Sequence, residues 1–376
     1  MDAEAFRKDL DELYRSLKDA TGAEDYRHLR KMERWGRTCS ALGYATAWIA
    51  PNPVSVALLS TGTFARWTIV AHHVLHKAYD RIPGVPRRHT STGFARGWRR
   101  VIDWLDWIHP AAWEYEHNRL HHYRLGENHD PDQPERNLEY LRQSTLPKSV
   151  RYALIGVISM NWKWVYYAPN TIQELRVKRS GQEPDPDRVW RGELGNWLPI
   201  AAAGRELWWR SWLPYAVGRF VVAPAPFALL GPWAYASALC NLVMAEAMTN
   251  AHSFFVIVSN HAAADLYRFD GKAQSKAEFY LRQVRGSTNF TTGGDLRDFL
   301  HGWLNYQVEH HLWPNLTLRQ YQRAQPQVKA ICEKHGVPYL QESMWRRASK
   351  MLKVLTGART MKRWPEGASE TTDAAR

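Results

Sequence analysis

A chain of 376 residues is too long for one small domain and suits one large domain, or a membrane core with a cytosolic cap. Hydrophobic residues make up 45%, yet the mean hydropathy of −0.50 excludes a protein built mostly of membrane spans. The net charge of +13 asks for an anionic partner, but the basic residues are dispersed among apolar stretches, so an anionic membrane surface fits and nucleic acid does not.

Residues 1–35 alternate charges and are expected to form a polar, amphipathic helical lead-in, in the cytosol or on the membrane; the segment is too charged for a signal peptide. Apolar stretches at 36–50 and 54–72 follow, joined by the uncharged breaker Pro51-Asn52-Pro53, and read as a helical hairpin. From Lys77 to Lys148 the chain is polar and basic. Residues 149–168 are apolar again but carry Arg151 and Lys163, and 172–195 read as a polar loop. Stretches 212–230 and 233–258, broken by Gly231-Pro232, form a second hairpin. The remainder is mixed and basic, and residues 346–376 are expected to be a basic, then polar, tail that ends in disorder. A single domain is therefore expected over 36–345.

Lys and Arg crowd the segments after Asp80, whereas both hairpin breakers carry no charge. The positive-inside rule places the basic segments in the cytosol and the breakers outside. Nineteen Trp and 17 Tyr suit the headgroup layer. Cys39, Cys240 and Cys332 lie far apart in no metal or redox spacing, which fits a reducing compartment.

The histidines carry the chemistry. His72-His73-Val74-Leu75-His76 contains HxxxH, His117 to His122 is HxxxHH, Gln307 to His311 is QxxHH, and Asn260-His261 stands between the last two. On a helix, positions i and i+4 share a face, so His72 and His76 reach one ion together, as do His117 and His121. His122 is turned about 100° further and points to a second ion. A lone HxxxH is usually a surface or satisfied core pair. Three boxes and an Asn-His, each at the watery end of an apolar stretch or just beyond it, are not coincidence. Imidazole suits zinc, copper, iron and nickel, but seven or eight rings exceed any single zinc site. Soluble di-iron bundles rely on Glu with ExxH pairs, absent here, so a His-rich di-iron site is the sharper reading. His73 competes with His72 as partner of His76. His252 faces away from His261 on a straight helix, which favours His261. His89, His109, His129, His301 and His335 read as surface residues or as supports behind the ligands.

The boxes must meet on one side of the bilayer. The charged stretch 149–168 is therefore expected to be an interfacial helix, with Trp162, Trp164, Tyr166 and Tyr167 at the headgroups. The expected fold is all-α and integral to the membrane, with about four transmembrane helices in two hairpins, interfacial helices, and a cytosolic helical cap that carries the boxes. Glu246 and Asn250, costly in an apolar stretch, should point towards the site or its substrate channel.

These residues resemble the membrane fatty acid desaturase family, with its three His boxes. Asn305-Tyr306-Gln307-Val308-Glu309-His310-His311-Leu312-Trp313-Pro314 is very similar to the third box of front-end acyl desaturases, and the likeness continues through Cys332-Glu333-Lys334-His335-Gly336-Val337. The resemblance covers roughly residues 60 to 345. It implies two iron ions held by His72, His76, His117, His121, His122, His261, His310 and His311, with O2 as co-substrate. Gln307 stands where other members carry another His. Asp130, Asp132, Asn305 and Glu309 are expected to orient imidazole N–H groups. The implied reaction places a cis double bond in a fatty acyl chain bound to CoA, a carrier protein or a lipid. Hydroxylation, or decarboxylation to a terminal alkene, is the nearest alternative; a non-catalytic membrane metal carrier is a distant one. Many front-end members carry a fused cytochrome b5 domain with an HPGG motif. Here the only His-Pro, His109-Pro110, is followed by Ala-Ala. Electrons are thus expected from a separate ferredoxin, or cytochrome b5, with its NAD(P)H reductase. The active site is expected to face the cytoplasm.

Overall fold

The computed structural model describes residues 2–182 and 197–364, and there the chain is mostly helical. Among these residues, strand is confined to two short parallel ties, Tyr267–Phe269 with Lys362–Trp364 and Asn289–Phe290 with Gln341–Glu342. Among the described residues, two helices, Pro53–Leu75 and Ala202–Leu230, are long and apolar enough to cross a membrane.

The first hairpin forms where its breaker stands. Helix Ala23–Ala47 runs unbroken through the expected lead-in boundary at residue 35 and packs on Pro53–Leu75. Gly36 lies over Ala65, and Gly62 over the Gly36 carbonyl and Ser40, so small residues let the backbones approach closely. Asn52 caps the second helix by accepting from Ser55 N at 2.8 Å. Asn241, on the distant helix Pro232–Val258, donates to the Ala47 and Ala50 carbonyls at 2.8 and 3.0 Å and accepts from Asn52 N at 2.9 Å. Three backbone groups of this turn are thus satisfied by one side chain of the second hairpin, which fixes the two hairpins to each other.

The second hairpin breaks at Gly231-Pro232, where proline opens a helix without forfeiting a hydrogen bond. Pro232–Val258 is the central column, packed on both Pro53–Leu75 and Lys148–Trp162.

Two expectations are corrected, and the lead-in gains a packing partner: helix Ala3–Asp19 sets its Phe6, Leu10, Leu13 and Leu17 face on helices Lys276–Gly286 and Leu318–Lys334. Ion pairs from Asp9 to Lys334 and from Asp11 to Lys276 align it. Next, of the four aromatics expected among headgroups, Trp162 and Tyr167 are buried, at 4% and 2% exposure, whereas Trp164 is 39% exposed. The charge that marked this stretch as interfacial is neutralised inside, since Lys163 Nζ lies 2.9 Å from Asp106 Oδ2. Asn250 and Glu246 are recruited to the same cluster instead of the channel: Asn250 Oδ1 accepts from Lys163 N at 2.7 Å, and its amide donates to Glu246 Oε1 at 3.0 Å. Last, the expected loop at 172–195 begins as helix, Ala168–Arg179; its remainder from residue 183 lies outside the described residues, as does the tail from 365.

Candidate metal centre

The first two boxes sit where a helix is locally distorted. A π turn over Arg66–Ala71 leads into His72–Leu75, with His76 capping that end. A second π turn, Glu116–His121, carries the middle box, and His122 N bonds back to the His117 carbonyl at 3.1 Å. The third box, on the short helix Gln307–Leu312, is pressed against the first by the loop before it. Gly302 there has φ 63°, and a Cβ would collide with Thr68 and Phe64. Asn118 donates to the Leu75 carbonyl at 3.0 Å, pinning the middle box to the first, and Asn260 to the Leu304 carbonyl at 2.8 Å, pinning the Asn-His stretch to the third.

The result is two adjoining groups of buried imidazoles. His72, His76, His117, His122 and His310 each bring one ring nitrogen within 4.8 Å of all the others; His121, His261 and His311 form the second group. Nε2 of His72 lies 2.9 Å from that of His310 and 3.2 Å from that of His117, which in turn is 3.2 Å from Nε2 of His122. The expected division within the middle box is corrected: His117 pairs with His122, and His121 goes to the other group. A π turn bonds i to i+5, so residues five apart share a face where an α-turn would align those four apart.

Burial, and then the nearness of other rings, drives the imidazoles of His76, His117, His122, His310 and His311 well below their usual range; His261 is lowered likewise by burial and His121. These rings are neutral at physiological pH. His121 is the exception, since burial lowers it but the Asp130 charge and hydrogen bond raise it more.

Asp130 Oδ1 accepts from His121 Nδ1 at 2.9 Å. His310 Nδ1 donates to the Tyr321 hydroxyl at 3.1 Å, which donates onward to the Trp313 carbonyl at 2.9 Å. Both contacts hold the ring proton on Nδ1 and leave Nε2 as a lone pair aimed at the cluster. Tyr321 escaped the sequence reading, because nothing in the spacing of residues 310 and 321 joins them. Gln307 places its amide 2.9 Å from His261 Nε2 and 3.3 Å from His311 Nε2, so its oxygen can complete the smaller group.

Other expected supports go elsewhere. Asn305 donates to Asp298 at 2.7 Å rather than orienting a ring. Glu309 accepts from Asn289 at 2.8 Å and Tyr339 at 2.7 Å, anchoring the box helix from behind. Asp132 meets Glu116 beside His117. Burial pushes Asp132 up to about 6, and burial with the Asp132 and Asp130 charges pushes Glu116 well above the carboxylate range. Glu116 was not singled out from sequence. His73 turns its Nδ1 to the Ile69 carbonyl at 3.0 Å, and His252 stacks on Phe64, so neither joins a group. His89 is no surface residue: it is buried, 2.8 Å from the Tyr26 hydroxyl and 3.5 Å from Glu33.

The donor set fits metal ions. Short contacts between several neutral imidazole nitrogens cannot all be hydrogen bonds, because each ring has one proton and that of His310 is held on the far side by Tyr321. Spacings of roughly 3 Å are what neighbouring ligands show around an ion bonded at about 2.1 Å. The cluster opens on a cavity walled by Trp67, Trp162, Tyr167, Phe254, Ile257 and Val258, with His72, His117, His121, His261, Gln307 and Asp132 also lining it.

A helical protein with two span-length helices, a metal-ready histidine cluster and an adjoining apolar cavity is the class that fold and site define. A family model for fatty acid desaturases matches residues 47–343, and the chain belongs to that family. It is thereby an oxidoreductase of lipid metabolism. Among curated proteins it is 26% identical to an NADPH-dependent stearoyl-CoA 9-desaturase of Mycobacterium tuberculosis, over 93% of this chain and 80% of that one. It is 30% identical to an acyl-lipid (7-3)-desaturase of Rebecca salina, covering 62% of this chain and 50% of the relative. With a Delta(8)-fatty-acid desaturase of Euglena gracilis it shares 23% identity, over 67% of this chain and 58% of the other.

Proposed function

We propose that this protein is an O2-dependent desaturase that places a cis double bond in a fatty acyl chain at two irons. One iron would be held by His72, His76, His117, His122 and His310, the other by His121, His261 and His311 with Gln307. The observation that carries the reading is the convergence of two buried imidazole groups beside one apolar cavity. Bound iron supplies the chemistry that side chains lack, the activation of O2 for removal of two hydrogens from adjacent methylenes. Two electrons and two protons from outside complete the reduction of O2 to two waters.

The protein's own part is positional. Trp67, Trp162, Tyr167 and Phe254 wall the acyl chain and exclude water, so that the methylenes beside the histidines are the ones that react. Asp130 and Tyr321 keep the Nδ1 protons of His121 and His310 in place. Asp132, Gln307 and the ligand rings are the polar boundary that the acyl chain meets.

Residues 36–345 form the catalytic domain in this reading. Four crossings, at 36–50, 54–72, 212–230 and 233–258, leave the histidines at the cytoplasmic face. A separate ferredoxin or cytochrome b5, with an NAD(P)H reductase, delivers electrons; the mycobacterial relative's dependence on NADPH supports such a supply. The names of the relatives include both CoA-linked and lipid-linked substrates, so both carriers belong in the assay. Fatty acids from a host with and without the gene, with double bonds located by mass spectrometry, test the activity. Metal analysis of the purified chain accompanies it. Two irons per chain and a new double bond support the proposal. Zinc alone, with no O2 consumed when reductant is added, ends it.

A further inference from the structure

Away from the histidines, two adjoining clefts share Arg66 where Ala23–Ala47, Pro53–Leu75, Ala202–Leu230 and the short helix Arg99–Asp103 meet. Their charges do not balance. Glu33 is taken by Arg30 and Arg37, Asp103 by Arg99, and Asp106 by Lys163. Glu246 already accepts from Trp107 at 2.9 Å, Tyr215 at 2.5 Å and Asn250 at 3.0 Å. Arg219 approaches it only to 3.8 Å and donates Nη1 to the Tyr44 hydroxyl at 3.2 Å. Its Nε and Nη2 have no hydrogen-bond partner, although the side chain is just 10% exposed. Arg66 lines both clefts, beside Arg37 in one and Arg219 in the other, and its side chain makes no ion pair or hydrogen bond among the described residues. Arg66 and Arg219 stand inside the two span-length helices, where an ionised group needs a counter-charge.

The depth of the clefts comes from their rim. Trp98, Val101 and Ile102 are 72%, 63% and 61% exposed beside Arg99 and Arg100, the pattern of a helix lying in a headgroup layer. Val101 and Ile102 line the clefts themselves. Ala223 lines one as well, and the preceding Val221 and Val222 are 54% and 61% exposed, an apolar flank suited to acyl tails.

We propose that this cleft binds the phosphate of a membrane phospholipid headgroup between the guanidinium groups of Arg66 and Arg219. The proposal rests on the embedding of these helices in a bilayer and is independent of the desaturase reaction. Arg66, which makes no ion pair among the described residues, and Arg219, whose counter-charge on Glu246 is 3.8 Å away and shared with Lys163, select an anion. The apolar rim and the exposed valines select one that carries hydrocarbon.

The test uses the full chain in detergent, titrated with phosphatidylglycerol and read by native mass spectrometry. Wild type should retain one tightly held lipid. Arg66→Gln and Arg219→Gln should each bind it roughly tenfold more weakly, the scale of a lost charge-assisted contact. Arg66→Lys should restore most of the binding, and Arg15→Gln, on the N-terminal helix, should change nothing. Thermal melting screens Arg219→Gln for misfolding; Arg66, at the open side of the cleft, keeps the test valid if that variant fails. Equal lipid binding by wild type and Arg66→Gln overturns the proposal. So does displacement of the lipid by inorganic phosphate at matched concentration, which would define a free-phosphate site. Iron content measured on the same samples separates the two readings, since normal lipid binding with no iron strikes only the desaturase.

Discussion

At the scale of single residues, the site depends on where protons sit. Asp130 and Tyr321 each hold a proton on the outer nitrogen of a ligand ring, leaving the inner nitrogen free. His121→Ala and His310→Ala should abolish turnover and lower the iron content, as metal analysis of the purified variants will record. Tyr321→Phe keeps the ring packing but removes the acceptor for His310. Its iron affinity should fall roughly 10- to 100-fold, measured by chelator competition, with little change in melting temperature. His89→Ala makes the contrast. Its ring is buried between Tyr26 and Glu33, so the variant should melt earlier while keeping its iron. The boxes were legible as sequence, but the partners behind them were only partly so. Asp130 follows its ring by nine residues and was anticipated, whereas Tyr321 reaches His310 through a tertiary turn. Asn305 lies beside the third box and Glu309 within it, yet both side chains turn to partners away from the rings.

At the scale of elements, uncharged breakers and apolar runs reveal hairpins because backbone geometry there is a local matter. Packing partners are not. The π turn at Glu116–His121 re-sorts the middle box, and no rule of α-helical spacing anticipates it. Lys163 illustrates the same limit. Its charge read as a mark of the interface, but its ammonium is 0% exposed and paired with Asp106. Lys163→Met leaves that carboxylate alone and should destabilise the fold by about 3–5 kcal/mol; replacing both partners with apolar residues should recover most of the loss in a thermal melt.

At the scale of the whole molecule, the cavity and the clasp between the termini set behaviour. Ile257→Trp fills the apolar wall and should cut turnover of long acyl chains while iron content stays normal, which separates substrate access from metal binding. The clasp includes Asp295, which accepts from Lys31 at 2.7 Å and from Gln322 at 3.2 Å and meets His28 Nε2 at 3.0 Å. Burial raises this carboxyl, but the hydrogen bonds of Lys31, His28 and Gln322 outweigh it and hold it at about 2, below its ordinary 3.8. A depressed carboxyl stabilises the fold above its unfolded value and loses that contribution as pH falls through the folded one. The stability difference between wild type and Asp295→Asn should therefore be full at pH 5 and fade between about 4 and 2, as melts across that range will show.

By itself the sequence determined the helical class, the two hairpin breakers, the histidine boxes and the family, because each is written in residue type and short-range spacing. Only the tertiary structure decided how the imidazoles divide, that Lys163 and Glu246 close on each other, and that the N-terminal helix caps the C-terminal ones. Those outcomes turn on which distant surfaces meet, and burial, not spacing, selects among them.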